Sequence, residues 1–221
     1  MKSELITNVS HDLKTPITSI ISYAELLAKT EGLSEEAKDY VAVIAKKGER
    51  LKKLTQDLFD VSKAHSGNDE AVLERLDASL LIEQSLAEHE REIQSSGFVF
   101  CTQVQKELYI LADGRKMSRV LGNLIDNVLK YTLKSTRVFI TAAEKDGKVE
   151  IEFKNVSAFP LDFDAEEITG RFVRGDSSRT LEGNGLGLAI AKSYTELCGG
   201  IFEIELDGDM FKAKLIFEKL G

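Results

Sequence analysis

Apolar residues open the chain at Ile6, Val9, Leu13, Ile17, Ile20, Ala24 and Leu27, in steps of three and four that trace one face of a helix. A second run, Val41, Ile44, Leu51, Leu54, Leu58 and Val61, repeats that spacing. Gly32 ends the first helix, and Ser34 followed by Glu35 and Glu36 suits the start of the second. The pattern predicts two antiparallel helices joined by a short link. A lone hairpin is too thin to bury such a stripe. Pairing two copies into a four-helix bundle would cover it, so residues 1–66 are expected to form a homodimer.

After Ser66-Gly67-Asn68-Asp69 the pattern changes, which places a domain boundary at 66/67. Residues 77–96 read as one helix, with Leu80, Leu81, Leu86 and Ile93 inward and Gly97 as its stop. Residues 98–104 and 107–112 read as extended. Asp113 is a plausible cap for a helix running to about Thr132. Residues 136–144 and 148–156 form a hairpin about Asp146-Gly147, and 201–206 and 210–217 another about Asp207-Gly208. A helix between them follows Gly187 and stops at Gly199-Gly200. The expected fold class is therefore multidomain: an all-α hairpin followed, over residues 67–221, by an α+β two-layer sandwich. Residues 157–184 remain as a long polar connection, of a length that in compact domains usually carries function.

Charge divides the chain at the same boundary. The 221 residues carry a formal net charge of −8. Residues 1–66 balance to zero, so the whole acidic excess lies in 67–221. That excess disfavours nucleic acid as a partner. The two cysteines, Cys101 and Cys198, cannot form a disulfide scaffold and suit a reducing, cytosolic setting. No apolar run reaches the roughly 20 residues of a membrane span.

Three stretches carry candidate chemistry. In Ser10-His11-Asp12-Leu13-Lys14-Thr15-Pro16, His11 and Thr15 are four apart and share a helix face, while Pro16 removes the helical partner of the Asp12 carbonyl. In the helix after Asp113, Asn123 and Asn127 are i,i+4 and Lys130 follows by three, opposite an apolar face. An amide oxygen suits Mg²⁺, and a lysine suits phosphate; a merely solvated polar face is the alternative. Gly183-Asn184-Gly185-Leu186-Gly187-Leu188 opens a helix without matching the dinucleotide or P-loop spacing. Between residues 169 and 192, Arg171, Arg174, Arg179 and Lys192 outnumber Asp176 and Glu182, a cationic island that favours a polyphosphate ligand.

Taken together, residues 10–16, 123–132, 171–176 and 183–188 resemble, in order, the H, N, F and G2 boxes of bacterial two-component sensor histidine kinases. The resemblance covers nearly the whole chain. It implies ATP and Mg²⁺ as cofactors, with His11 as the phosphoryl acceptor and Asp12 as its base or orienting partner. It implies that Asn127, with Asn123, holds the metal, and that Lys130 and Tyr131 flank the nucleotide. Arg171, Arg174, Gly183, Gly185, Leu186 and Gly187 belong to the lid and helix start that close over the phosphates. A response regulator's aspartate would receive the phosphoryl group, and Thr15 would support the reverse, phosphatase, reaction. The segment near residue 66 would be the hinge.

One box departs from the family. The G1 box usually has an aspartate followed by glycines, where this chain has Lys154-Asn155-Val156-Ser157-Ala158-Phe159-Pro160. Asn155 can accept from an adenine amine but without a charge, so ATP binding is expected to be retained and weakened. The departure motivates an alternative reading, a phosphatase-dominant or nucleotide-binding scaffold with weak autokinase activity. An unrelated ATP-driven machine of the topoisomerase or chaperone type is disfavoured by His11-Asp12 on a dimerising hairpin. Because Met1 lies so close to the H box, the chain is expected to be the cytoplasmic portion of a membrane-anchored bacterial receptor, whose N-terminal sensor region would supply the membrane link.

Overall fold

In the computed structural model the chain forms two compact units, Met1–Asp69 and Glu70–Gly221. The description covers residues 2–65, 69–161 and 185–220, without the side chains of residues 2–12, 61, 64 and 65.

The first unit is a hairpin of α1 (Lys2–Ala28) and α2 (Glu35–His65). Gly32 turns the chain with φ 84°, a left-handed conformation that a side chain would resist. Ser34 caps α2 by accepting from the Ala37 N–H at 3.2 Å. Helix α1 runs unbroken through Pro16. Two hydroxyls sit beside that proline: Thr18 donates to the Lys14 carbonyl at 2.8 Å and Ser19 to the Thr15 carbonyl at 3.1 Å.

The expected single apolar stripe on α1 is in fact two adjacent faces. Ile17, Ile21 and Ala24 are buried, whereas Leu13, Ile20 and Leu27 are 45–51% exposed. On α2, Val41 and Phe59 are buried, while Ile44, Leu51 and Leu58 are 43–48% exposed. The exposed sets each step by seven residues, the coiled-coil interval, and the buried set forms the seam between α1 and α2. Where the helices approach, α2 presents Gly48, and a β-carbon there would lie 2.8 Å from Ile21 Cγ1.

The second unit begins with β1 (Glu74–Asp77), α3 (Ala78–Glu88) and α4 (Glu90–Ser96). The single helix expected over 77–96 is thus corrected to a strand end and two helices. Asp77 caps α3 through the N–H groups of Ser79 and Leu80. His89 leaves helical geometry (φ −103°, ψ 15°), and its Nδ1 lies 2.8 Å from the Ser85 carbonyl oxygen. Strand β1, with one apolar residue in four, carries no periodicity of its own; it forms by antiparallel pairing with β3 (Tyr109–Ala112).

The main sheet contains β2 (Val99–Val104), β4 (Arg137–Lys145), β5 (Lys148–Val156), β6 (Ile201–Asp207) and β7 (Met210–Glu218), in the order β2-β4-β5-β7-β6. Only β2 and β4 are parallel; the other pairs are antiparallel. Helices α5 (Gly114–Tyr131) and α6 (Gly187–Leu197) pack against each other in the second layer. The core joins Met117, Val120, Leu121, Leu124 and Val128 of α5 to Ile140, Ile151, Phe153 and Leu215 of the sheet and Ile190 and Ala191 of α6. Among the described residues no helix is long and apolar enough to cross a membrane.

Candidate functional site

Helix α5 is fixed at its start by one carboxylate. Asp113 accepts from the N–H groups of Arg115 and Lys116 at 3.0 and 3.1 Å, and from Val72 N–H at 2.9 Å. Its burial raises the carboxyl pKa, but these backbone donors and the Lys116 charge outweigh that and hold it below the ordinary carboxylate range. The Asp113 N–H in turn lies 3.5 Å from the Cys198 sulfur at the end of α6. The start of α5 is therefore tied both to the incoming chain and to α6.

The other end of α5 is stitched to the end of β5. Leu133 N–H donates to the Val156 carbonyl at 2.9 Å and Ala158 N–H to the Tyr131 carbonyl at 2.8 Å. Thr132 bridges to Ser157, and its hydroxyl donates back to the Val128 carbonyl at 2.6 Å. This lattice sets Tyr131 against the strand that carries Asn155.

The absent G1 glycines are replaced by a different turn chemistry. The Ser157 hydroxyl donates to the Phe159 carbonyl at 2.8 Å and accepts from Phe159 N–H at 3.2 Å. Neither Ser157 nor Phe159 has positive φ. The turn thus needs no glycine, because the serine side chain supplies its hydrogen bonds. The sequence reading passes over Ser157; its signal is a short hydroxyl side chain two residues after Asn155.

Two buried amides carry atoms that find no hydrogen-bond partner among the described residues. Asn123 is 6% exposed, and its Nδ2 has no hydrogen-bond partner. Asn155 is 1% exposed; its Nδ2 donates to the Val156 carbonyl at 3.4 Å and its Oδ1 accepts nothing. Each orphaned atom costs about 1–3 kcal/mol unless a ligand completes it. Asn123 lies against the N-terminus of α6, where a β-carbon on Gly187 would meet its Oδ1 at 3.7 Å. Helix starts attract anions, and a buried amide donor beside one adds a directed hydrogen bond.

The remaining expected residues are placed as follows. Asn127 and Tyr131 are half-buried and Lys130 is exposed, all on the last two turns of α5. Gly185 has φ 66°, Leu186 is fully buried, and Gly187 begins α6. Arg171, Arg174 and Gly183 lie outside the described residues. In the first unit, His11 and Asp12 belong to α1, and Thr15 is exposed one turn further along it. Among the described residues no three His, Cys, Asp or Glu side chains converge as a metal site.

Comparison with known proteins matches two family models. Residues 1–67 match the His Kinase A (phospho-acceptor) domain. Residues 112–218 match the histidine kinase-, DNA gyrase B- and HSP90-like ATPase. The chain is 28% identical to the sensor protein DivL of Caulobacter vibrioides over 93% of its own length and 26% of that protein's. It is 32% identical to a sensor protein kinase WalK of Staphylococcus aureus over 90% of its own length and 49% of that protein's. It spans about a quarter to a half of these relatives. Among solved structures, full-length ShkA in complex with AMPPNP superposes with a TM-score of 0.84 at 24% identity, covering 98% of this chain and 46% of that one. The Acinetobacter baumannii histidine kinase AdeS gives 0.67 at 17% identity, covering 96% and 98%.

Proposed function

The chain belongs to the sensor histidine kinase family, with a phospho-acceptor domain followed by a histidine-kinase-type ATPase domain, and on that premise we propose that it transfers the γ-phosphoryl group of ATP to His11. The observation that carries this reading is the pair of buried, unsatisfied amides. Asn155 Oδ1 is an acceptor suited to an adenine amine, and Asn123 Nδ2, beside the start of α6, is a donor suited to a phosphate oxygen.

A ring nitrogen of His11 attacks the γ-phosphorus through its lone pair. The bond from that phosphorus to the bridging oxygen breaks, and ADP leaves. Asp12 orients the imidazole through its second nitrogen. Asn127, with the Oδ1 of Asn123, would hold Mg²⁺, while Asn123 Nδ2 is directed to phosphate, and the ion would neutralise charge on the transferring group. Lys130 adds a positive charge at the end of α5, and Tyr131 flanks the base. Arg171, Arg174 and Gly183 are proposed for the lid, with Gly185, Leu186 and Gly187 giving the phosphates close access to backbone N–H groups.

The phosphoryl group then passes to an aspartate of a response regulator, and Thr15 supports its removal from that regulator. Residues 1–66 form a homodimer, residues 67–221 form the catalytic domain, and the whole works as the cytoplasmic part of a membrane-anchored receptor. The neutral Asn155 favours a second reading, nucleotide binding with weak autokinase activity.

The test is incubation with γ-labelled ATP and Mg²⁺. Acid-labile, alkali-stable label that is lost in His11→Ala supports the kinase. Absence of label despite measurable ATP binding supports the second reading.

A further inference from the structure

We infer that Ser157 is a positioning residue for the nucleotide: its hydroxyl holds the turn after β5 closed before any ligand arrives and, through that turn, fixes Tyr131 at the end of α5. The inference rests on the nucleotide site proposed above and deepens it.

Three consecutive N–H groups follow the end of β5, and each is taken up within the protein. Ser157 N–H donates to the carbonyl of Asp209, in the turn between β6 and β7, at 2.7 Å. Ala158 N–H donates to the Tyr131 carbonyl at 2.8 Å. Phe159 N–H donates to the Ser157 hydroxyl at 3.2 Å, and that hydroxyl donates to the Phe159 carbonyl at 2.8 Å. A glycine-rich loop leaves such groups open to a ligand. Here they are committed, so the segment works as a brace and not as a cradle.

The brace reaches the base site through backbone alone. The Ala158 bond to Tyr131 and the Leu133 bond to Val156 flank the bridge between Thr132 and Ser157, so the ends of α5 and β5 are held as one piece. Ser157 is buried, so water does not compete for its two hydroxyl bonds. Removing the hydroxyl frees Phe159 at both of its backbone groups and leaves the Ala158 bond to close the turn alone. A turn that is already closed has nothing to order when a ligand binds. That preorganisation offsets the weaker hold of a neutral acceptor at Asn155.

The test reads the turn and the ligand separately, on the full chain. Residue-resolved hydrogen exchange without ligand is expected to find the Ala158 and Phe159 amides protected, and Ser157→Gly and Ser157→Ala are expected to lose that protection. Stopped-flow binding of a fluorescent β,γ-imido analogue of ATP follows. Its association rate is expected to fall about tenfold in either variant, with dissociation within about threefold of the wild type, because the hydroxyl acts before the ligand arrives. Ser157→Thr keeps the hydroxyl and is expected to restore both readings. A purely structural role would lower the thermal midpoint and leave association unchanged. That result, or free exchange of the two amides in the wild type, would overturn the assignment and leave the nucleotide site intact. The wild-type exchange measurement decides the matter even if neither variant folds. Failure of the wild type to bind the analogue would overturn the assignment and the nucleotide site together.

Discussion

Gly187, the first residue of α6, faces Asn123 of α5 so closely that a β-carbon at 187 would stand 3.7 Å from Asn123 Oδ1. That is ordinary van der Waals contact, not a clash. The fold thus tolerates a methyl group at 187, whereas a ligand drawn to the Asn123 amide and the helix start would have to share space with it. Gly187→Ala is expected to keep or slightly raise the thermal midpoint, since alanine is the better helix former by up to about 1 kcal/mol. It is expected to weaken binding of a non-hydrolysable ATP analogue by about tenfold, or 1.4 kcal/mol. Paired melting curves and titrations check this. Unchanged binding would place the phosphates away from Gly187.

Asp113 predicts a pH dependence with a definite sign. Its folded-state carboxyl is held below the ordinary range, so it contributes stability above an unfolded value near 4. That contribution is lost as pH falls through the lower folded value. Asp113→Asn keeps a capping side chain but no charge. The variant is expected to be less stable than the wild type by about 1 kcal/mol at pH 7 and to converge with it as the pH falls through the lowered folded value. Urea unfolding across a series from neutral to acid pH measures the gap, and a gap that does not shrink in acid would locate its cause outside the carboxylate.

Gly48 tests the packing of the hairpin. A β-carbon there would lie 2.8 Å from Ile21 Cγ1, a methylene on the branched β-carbon whose χ1 is stiff in a helix and cannot swing aside cheaply. Overpacking of this kind costs about 1–3 kcal/mol, partly offset in an alanine variant by its helix propensity. Gly48→Val has less of that compensation and adds more bulk, and is expected to destabilise the helical unit by more than Gly48→Ala. Adding Ile21→Ala is expected to rescue Gly48→Val in part, a non-additivity that a double-mutant cycle reads directly.

The sequence carries the long elements because their information is local. The heptad and 3.6-residue periods of α1, α2 and α5, the Asp146-Gly147 turn and the Asp113 cap can all be read within a few residues. Strand β1 is invisible at that range, since its partner β3 begins more than thirty residues later. The break at His89 depends on a side-chain hydrogen bond and not on a glycine or proline. For the proposed site, Asn123 and Asn127 are singled out by their i,i+4 spacing and Gly187 by the glycine-rich helix start, but the orphaned state of Asn123 Nδ2 and Asn155 Oδ1 depends on what the flanking strands and helices fail to offer. Ser157 escapes notice for a similar reason: its role is to replace a glycine turn that the family pattern leads one to expect.

The two exposed heptad ladders yield a prediction about assembly. Leu13, Ile20 and Leu27 on α1 and Ile44, Leu51 and Leu58 on α2 take no part in the buried α1–α2 seam, which uses Ile17, Ile21, Ala24, Val41 and Phe59. Aspartate at Ile20 and Leu51 therefore alters the outer face alone. In a two-fold dimer the double variant places four charges at positions that would each contribute about 1 kcal/mol of apolar burial. Its dimer dissociation constant is expected to rise by at least about a thousandfold. Circular dichroism should report unchanged helicity, and sedimentation at micromolar concentration is expected to report a dimer for the wild type and a monomer for the double variant. A double variant that still sediments as a dimer would show that the ladders are not the interface, and one that loses helicity would show that they support the hairpin itself.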